Sequence, residues 1–485
     1  MNKSELFYNG KIITVDAAES ITEAFVVEGE KIIETGQSKA LLARHRNAVR
    51  HDLRGKTVIP GLNDSHAHPL NSSLSEADED IPVVKSVKEV LTWVRRQAIL
   101  KPKGSWLYIH RIYPVRLREL RLPTLAELDA AAPDHPVFLN GAFSGMVNTC
   151  ALKMHKISGD NRHEGVVLDP KTGTPTGVLH RSAYSLIGHE EEGRKPRAKR
   201  IALAKKMLAE YNSMGITSIT ETVWEKEEWP LLNAMAEDEA LSVRIHVNYM
   251  PAMPKTRQET LDLISHVNFR TGSGDEWLKM GPFKTFVDGG LLTGTAFMLE
   301  PWGRKAGELF GTAEGYRGNC NYTLEQLTDV VMVAAENGFN FICHATGSGA
   351  VDLVLRAYEA VNEKIPLKGK RFQLLHGNFF SPEVLDKCAA MGIVLDLQPA
   401  WFYKDVEALT ALLGKKRMAH FHPYRDMLKK GLLICSGSDH MAKFDPQDSI
   451  NPYNPFFGLY ALSARTTEKG TLFKPEQALT RMVWK

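Results

Sequence analysis

Past residue 57 the chain predicts an α/β fold, a (β/α)8 TIM-type barrel, and two observations carry that expectation. Short apolar runs alternate with helical stretches eight times, and strands that alternate with helices make parallel βα units. Residues able to bind a metal or move a proton stand at the ends of these runs, on the face where such barrels build their sites. The expected strands are 58–65, 216–222, 243–249, 278–287, 340–343, 371–375, 393–398 and 432–436. Helical patterns at 202–213, 325–337, 350–362 and 382–391 lie between them.

Before the barrel, residues 1–57 predict a small antiparallel β module. Its runs 11–15 and 24–33 alternate apolar and polar residues, and Glu28-Gly29-Glu30 reads as a hairpin turn. After the first barrel strand, residues 70–200 form an insertion with elements of its own. These are a helix over 86–98, strands near 106–109 and 136–139, and a hairpin rich in Pro, Gly and Asp from 168 to 178. An insertion at the C-terminal end of a barrel strand overhangs the mouth, where it can act as a lid or wall.

Composition narrows the function classes. With 485 residues, 43% hydrophobic and 24% charged, the chain has the make-up of a soluble globular protein. Sixty basic against 57 acidic residues leave a formal charge of +3 without a long single-sign run. The cluster from Arg194 to Arg200 reads as a solvated face leading a helix, not as a nucleic-acid arm. The expected partner is therefore a small molecule, with neither nucleic acid nor membrane. The N-terminus lacks an apolar leader, and no run approaches the roughly 18 residues of a spanning helix, so a cytoplasmic location is expected. Cys150, Cys320, Cys343, Cys388 and Cys435 are scattered, with no C-x-x-C pair, and fit reduced thiols. A metal in this chain would be held by histidine, carboxylate and lysine side chains, not by thiolates.

The strand ends carry the chemistry. His66-Ala67-His68 follows the first strand, and side chains at i and i+2 of an extended segment point the same way. A bare H-x-H is as readily a structural pair as a ligand pair. The other strand ends tip the balance: Lys284 on the fourth, His344 on the fifth, His376 on the sixth and Asp439 after the eighth.

In that order, His66, His68, Lys284, His344, His376 and Asp439 resemble the amidohydrolase superfamily. Lys284-Thr285-Phe286-Val287-Asp288-Gly289, the turn 174–179 and the late segment 475–481 are similar to family 3 amidohydrolases, the group that includes N-substituted formamide deformylase. The resemblance covers nearly the whole chain. It implies a metal-dependent hydrolase of a non-peptide carbon–nitrogen bond in a small amide, formamide or cyclic amide. All six residues are then metal ligands, and Asp439 is also the general base and acid. Imidazole and carboxylate suit one or two Zn²⁺ ions. Lys284 is expected to be carboxylated or else paired with a carboxylate such as Asp288. An esterase, lactonase, phosphoester hydrolase or decarboxylase on the same site stays open, as does a non-catalytic metal- or small-molecule-binding descendant.

Three departures from the family pattern stand out. Residues 140–148 lack the histidine that relatives carry in the insertion, and His440 follows Asp439 where relatives have tryptophan or a small residue. His440 is open to three readings: support of the site, substrate contact or solvation. Trp401, Phe402, Tyr403 and Trp224 could wall a pocket or simply pack. Third, relatives continue past the barrel with strands that join the N-terminal module in a composite β-sandwich, and these strands are missing from the expectation here. The exposed edges would invite association, a homodimer among the outcomes, or poor stability.

Overall fold

A computed structural model describes residues 4–77, 80–160, 163, 165–180, 183, 186–187, 195–224 and 228–480. Arg194, Arg481 and the terminal Met482-Val483-Trp484-Lys485 lie outside the described residues. Two compact units divide the chain, one within Met1–Leu62 and the other spanning Asn63–Leu479.

In the first unit, Glu5–Tyr8, Ala24–Glu28, Lys31–Gly36 and Val49–Asp52 make one sheet. Leu6, Ala24, Val26 and Leu41 are its buried centre. The hairpin expected at Glu28-Gly29-Glu30 is present, and Gly29 adopts φ 59° to turn it. The module is mixed, however, not antiparallel: Val49–Asp52 runs parallel to Glu5–Tyr8. The helix Ser38–Arg44 precedes Val49–Asp52, and a crossover of that kind brings a strand back in the same direction.

The second unit holds the barrel. Its strands are β1 (Leu62–Ala67), β2 (Ile216–Trp224), β3 (Arg244–Met250), β4 (Leu278–Phe286), β5 (Phe341–Ala345), β6 (Gln373–His376), β7 (Val394–Leu397) and β8 (Ile434–Ser436). They are hydrogen-bonded in chain order as one eight-stranded sheet, and the pairings from β2 to β8 are parallel. Backbone bonds draw the two edges together: Asp439 N donates to His66 O at 2.7 Å and His68 N to His440 O at 2.7 Å. Gly437 makes this approach possible, since a Cβ there would stand 2.5 Å from His66 N.

Seven strands fall within a few residues of expectation, and the first does not. The run 58–65 splits: Thr57–Val58 pairs with Lys11–Ile12, and β1 begins only at Leu62. Pro60 has no N–H for a ladder, so the extended stretch breaks there.

The helices expected between the strands are Arg197–Ser213, Leu324–Glu336, Ser348–Asn362 and Pro382–Met391. Thr323 and Ser381 cap the second and fourth through their side-chain oxygens. Apolar residues of strands and helices merge into one core that includes Tyr211, Ile219, Phe283, Leu327, Phe341 and Leu395. The insertion folds as helix Val87–Leu100 over a five-stranded sheet in which Pro175–His180 pairs with Val166–Leu168 as the expected hairpin. Among the described residues, no helix is long and apolar enough to cross a membrane.

Candidate metal centre

The seam between β8 and β1 sets the site. His66 lies on β1 and His68 just beyond it, their rings 4.8 Å apart at 81°. Asp439 lies three residues past β8 at φ 52°, a left-handed conformation strained for a residue with a side chain. This turn brings Oδ1 of Asp439 to 3.4 Å from Nε2 of His66 and 3.4 Å from Nε2 of His68. Asn451 anchors the turn by donating from Nδ2 to Asp439 O at 2.7 Å.

These three residues fit a divalent metal ion. Their ligand atoms all lie within 4.8 Å of one another, and His66 and Asp439 are buried. Two ligand atoms about 2.1 Å from a shared tetrahedral ion stand about 3.4 Å apart. A separation of that size is long for a hydrogen bond between nitrogen and oxygen. In addition, His66 Nδ1 is buried without a hydrogen-bond partner.

The charge states differ between the two imidazoles. Burial, with Lys284 nearby, pushes the His66 imidazole down to about 3, so it is neutral and ready to ligate. Burial would also lower His68, but Asp439 and Glu221 outweigh it and raise that imidazole to about 9. Burial opposes the charge on Asp439, yet the His66 and His68 imidazoles beside it hold its carboxyl well below the usual range.

The other expected ligands stand close by but outside that cluster of atoms. The His376 ring is 5.5 Å from that of His66, and the His344 ring is 4.5 Å from that of His376. His376, the last residue of β6, also adopts a positive φ, 73°. Its Nδ1 donates to Gln398 Oε1 at 2.6 Å while Gln398 Nε2 donates to Asp396, so the proton is on Nδ1 and Nε2 keeps its lone pair. His344 donates from Nε2 to Gly289 O at 3.1 Å.

Lys284, 1% exposed, donates from Nζ to Thr222 Oγ1 at 2.7 Å and lies over the Phe286 ring. Burial outweighs the pull of Asp439, Asp396 and Glu221 and brings its amine down to about 8. Asp288 is not its partner. That carboxylate accepts from the backbone N–H groups of Phe297, Thr346 and Gly347, and from the Thr346 hydroxyl.

The aromatic residues and His440 resolve individually. Trp401 stacks on His376, rings 4.8 Å apart at 14°, while Phe402 is buried in a satellite core. Trp224, at the end of β2, is 40% exposed. In the segment that lacks the family histidine, Phe143 comes within 5.7 Å of the His344 ring. His440 is fully buried: Nε2 donates to Lys443 O and Nδ1 accepts from the Tyr211 hydroxyl, each at 2.8 Å. It supports the seam and is neither solvated nor free for a substrate. Gly347-Ser348-Gly349 opens the helix after β5.

Sequence reasoning missed Glu221, Asp396 and Gln398. Glu221 Oε1 faces His68 Nδ1 at 3.3 Å, and Oε2 accepts from Leu70 N. A carboxylate behind a ligating histidine fixes its orientation and raises its basicity. The available signal was an acidic residue inside an apolar strand, at Glu221 in β2 and Asp396 in β7.

A barrel with histidines and a carboxylate converged on its C-terminal seam has the architecture of a hydrolase. The model of the Amidohydrolase family matches residues 51–482. N-substituted formamide deformylase of Arthrobacter pascens is 24% identical, over 98% of this chain and 86% of that protein. Putative amidohydrolase YtcJ of Bacillus subtilis (strain 168) is 25% identical, over 95% of this chain and 83% of that protein. An uncharacterized metal-dependent hydrolase from Pyrococcus horikoshii OT3 shares the fold with TM-score 0.71 at 20% identity, over 98% of this chain and 90% of that one. The chain belongs to the amidohydrolase family and is a hydrolase of carbon–nitrogen bonds.

Proposed function

We propose that this chain hydrolyses the non-peptide C–N bond of a small amide, formamide or cyclic amide, with Asp439 as general base and acid. The observation that carries the reading is the convergence of Asp439 Oδ1 on His66 and His68 at 3.4 Å each. We assign His66, His68 and Asp439 as holders of a zinc ion, with Lys284, His344 and His376 completing one or two sites. Zinc bound there supplies Lewis acidity and a water acidic enough to ionise near neutral pH. Asp439 takes the proton of the attacking water and returns it to the departing nitrogen, so the oxygen stays on the carbonyl carbon and the amine leaves neutral. His344 or His376 would complete the coordination, His376 through the Nε2 lone pair that its Nδ1–H bond to Gln398 leaves free. The family's deformylase member supports a formamide among the substrates.

Lys284 is proposed to carry a carbamate. Its amine, at about 8, is partly neutral at pH 7, as reaction with carbon dioxide requires.

The test is metal analysis followed by a panel of N-formyl amines, aryl amides, cyclic imides, lactones and phosphotriesters. The expected result is C–N hydrolysis abolished by chelation and reduced by at least a hundredfold in Asp439→Ala. Activity indifferent to either change overturns the mechanism.

A further inference from the structure

Asn248 is 1% exposed, and neither Nδ2 nor Oδ1 of its amide has a hydrogen-bond partner among the described residues. Burying an amide without a partner carries a cost that an apolar side chain of the same shape escapes. On β3 its neighbours Val247 and Tyr249 belong to the apolar core shared with the helices, where Tyr249 meets the Phe269 and Phe339 rings. Successive side chains of a strand take opposite faces, so Asn248 points into the barrel. The same alternation turns Thr222 inward beside Val223 on β2, and Lys284 inward beside Phe283 on β4.

These three inward residues meet. Strand β3 lies between β2 and β4, and Lys284 Nζ crosses it to donate to Thr222 Oγ1 at 2.7 Å. The residue of β3 paired in register with Thr222 is Asn248, on a strand about 4.8 Å away. The lysine therefore runs over the inner face of β3 at the level of Asn248, yet the amide and the amine do not bond to each other. Two donors cannot usefully pair, and an acceptor between them satisfies both.

The hydrogen bonds of Lys284 point to that acceptor. An ammonium group carries three N–H donors, and among the described residues Nζ uses one, toward Thr222. A carbamate nitrogen carries one N–H, which this bond satisfies, and adds two anionic oxygens beyond it. With neither atom of its amide engaged, Asn248 is free to turn Nδ2 toward them.

We propose that Asn248 is the positioning residue of the Lys284 carbamate, its Nδ2 donating to a carbamate oxygen and so holding carbon dioxide on the amine. The inference rests on the carbamate reading of Lys284 above and deepens it. The co-reactant is carbon dioxide. The lone pair of the neutral amine forms the N–C bond, one C=O pair moves onto oxygen, and one of the two N–H protons leaves to water.

The test is carbon nuclear magnetic resonance of the zinc-loaded full chain titrated with isotope-labelled bicarbonate, which reads the carbamate carbon directly. Lys284→Arg identifies its signal. Asn248→Leu keeps the shape and removes the amide, and is expected to weaken carbon dioxide binding by about tenfold or more, as loss of a hydrogen bond to a charged group implies. Asn248→Asp, the same shape with a charge that repels the carbamate, should lose at least as much. Melts of both variants in buffer free of carbon dioxide separate loss of the contact from loss of the fold. A carbamate that forms as readily in both variants as in the unaltered chain overturns the proposal and leaves the reading of Lys284 standing. No carbamate signal in the unaltered chain overturns that reading, and the proposal with it.

Discussion

Replacing Glu221 by Gln removes one negative charge behind His68 and little else. The carboxylate is 1% exposed, so water cannot fill its role, and Oε1 stands 3.3 Å from His68 Nδ1. Glutamine keeps the shape and an acceptor for Leu70 N, which Glu221 now serves through Oε2 at 3.2 Å. What is lost is the charge that orients the imidazole and raises its basicity. Carboxylates in that position are worth about 10- to 100-fold in metal affinity, or about 1.4–2.7 kcal/mol. Asp439 remains beside the same ring at 3.4 Å, which keeps the loss within that range. The assay is zinc competition against a chelator of known affinity at pH 7, with a circular-dichroism melt of the metal-free protein as a control for folding. A zinc affinity within twofold of the unaltered chain, with an unchanged melt, refutes the view that Glu221 acts through His68.

Three further outcomes follow from the same structure. Zinc binding at pH 7 should release about one proton, because His68 is raised to about 9 in the metal-free protein and must lose its proton to ligate. The proton count from calorimetry in two buffers checks this, affinity should fall as pH falls below 9, and a count of zero contradicts the assignment. Gly437→Ala places a Cβ 2.5 Å from His66 N at the barrel seam, and should cost about 1–3 kcal/mol of stability in urea unfolding together with zinc affinity. Thr124→Ala breaks the capping box between Thr124 and Glu127 on the insertion helix Leu125–Ala131. It should cost about 1 kcal/mol in the same assay while leaving zinc affinity as it was.

The barrel was legible because each of its strands is a local signal, a short apolar run bounded by turn residues and followed by a helical pattern. The displaced start of β1 shows the limit of that signal: Val58 and Leu62 are equally apolar, and beside the break at Pro60 it is the partner each finds across space that assigns them to different sheets. The parallel return of Val49–Asp52 was hidden for the same reason. At the site, the strand-end rule picked out the residues that crowd the seam, and Glu221 and Asp396 were visible as charges inside apolar strands. Gln398 and Asn451 gave no such sign, since an amide beside a loop looks ordinary until its neighbours are known.

The sequence by itself determined the order of strands and helices and the kinds of residue at their C-terminal ends, because apolar periodicity and turn chemistry act between near neighbours. Tertiary structure alone decided that Asp439 meets His66 and His68, residues more than 370 positions earlier, through the left-handed turn and the glycine that let β8 close on β1. Such contacts depend on distance in space, which closure of the barrel sets and sequence separation does not.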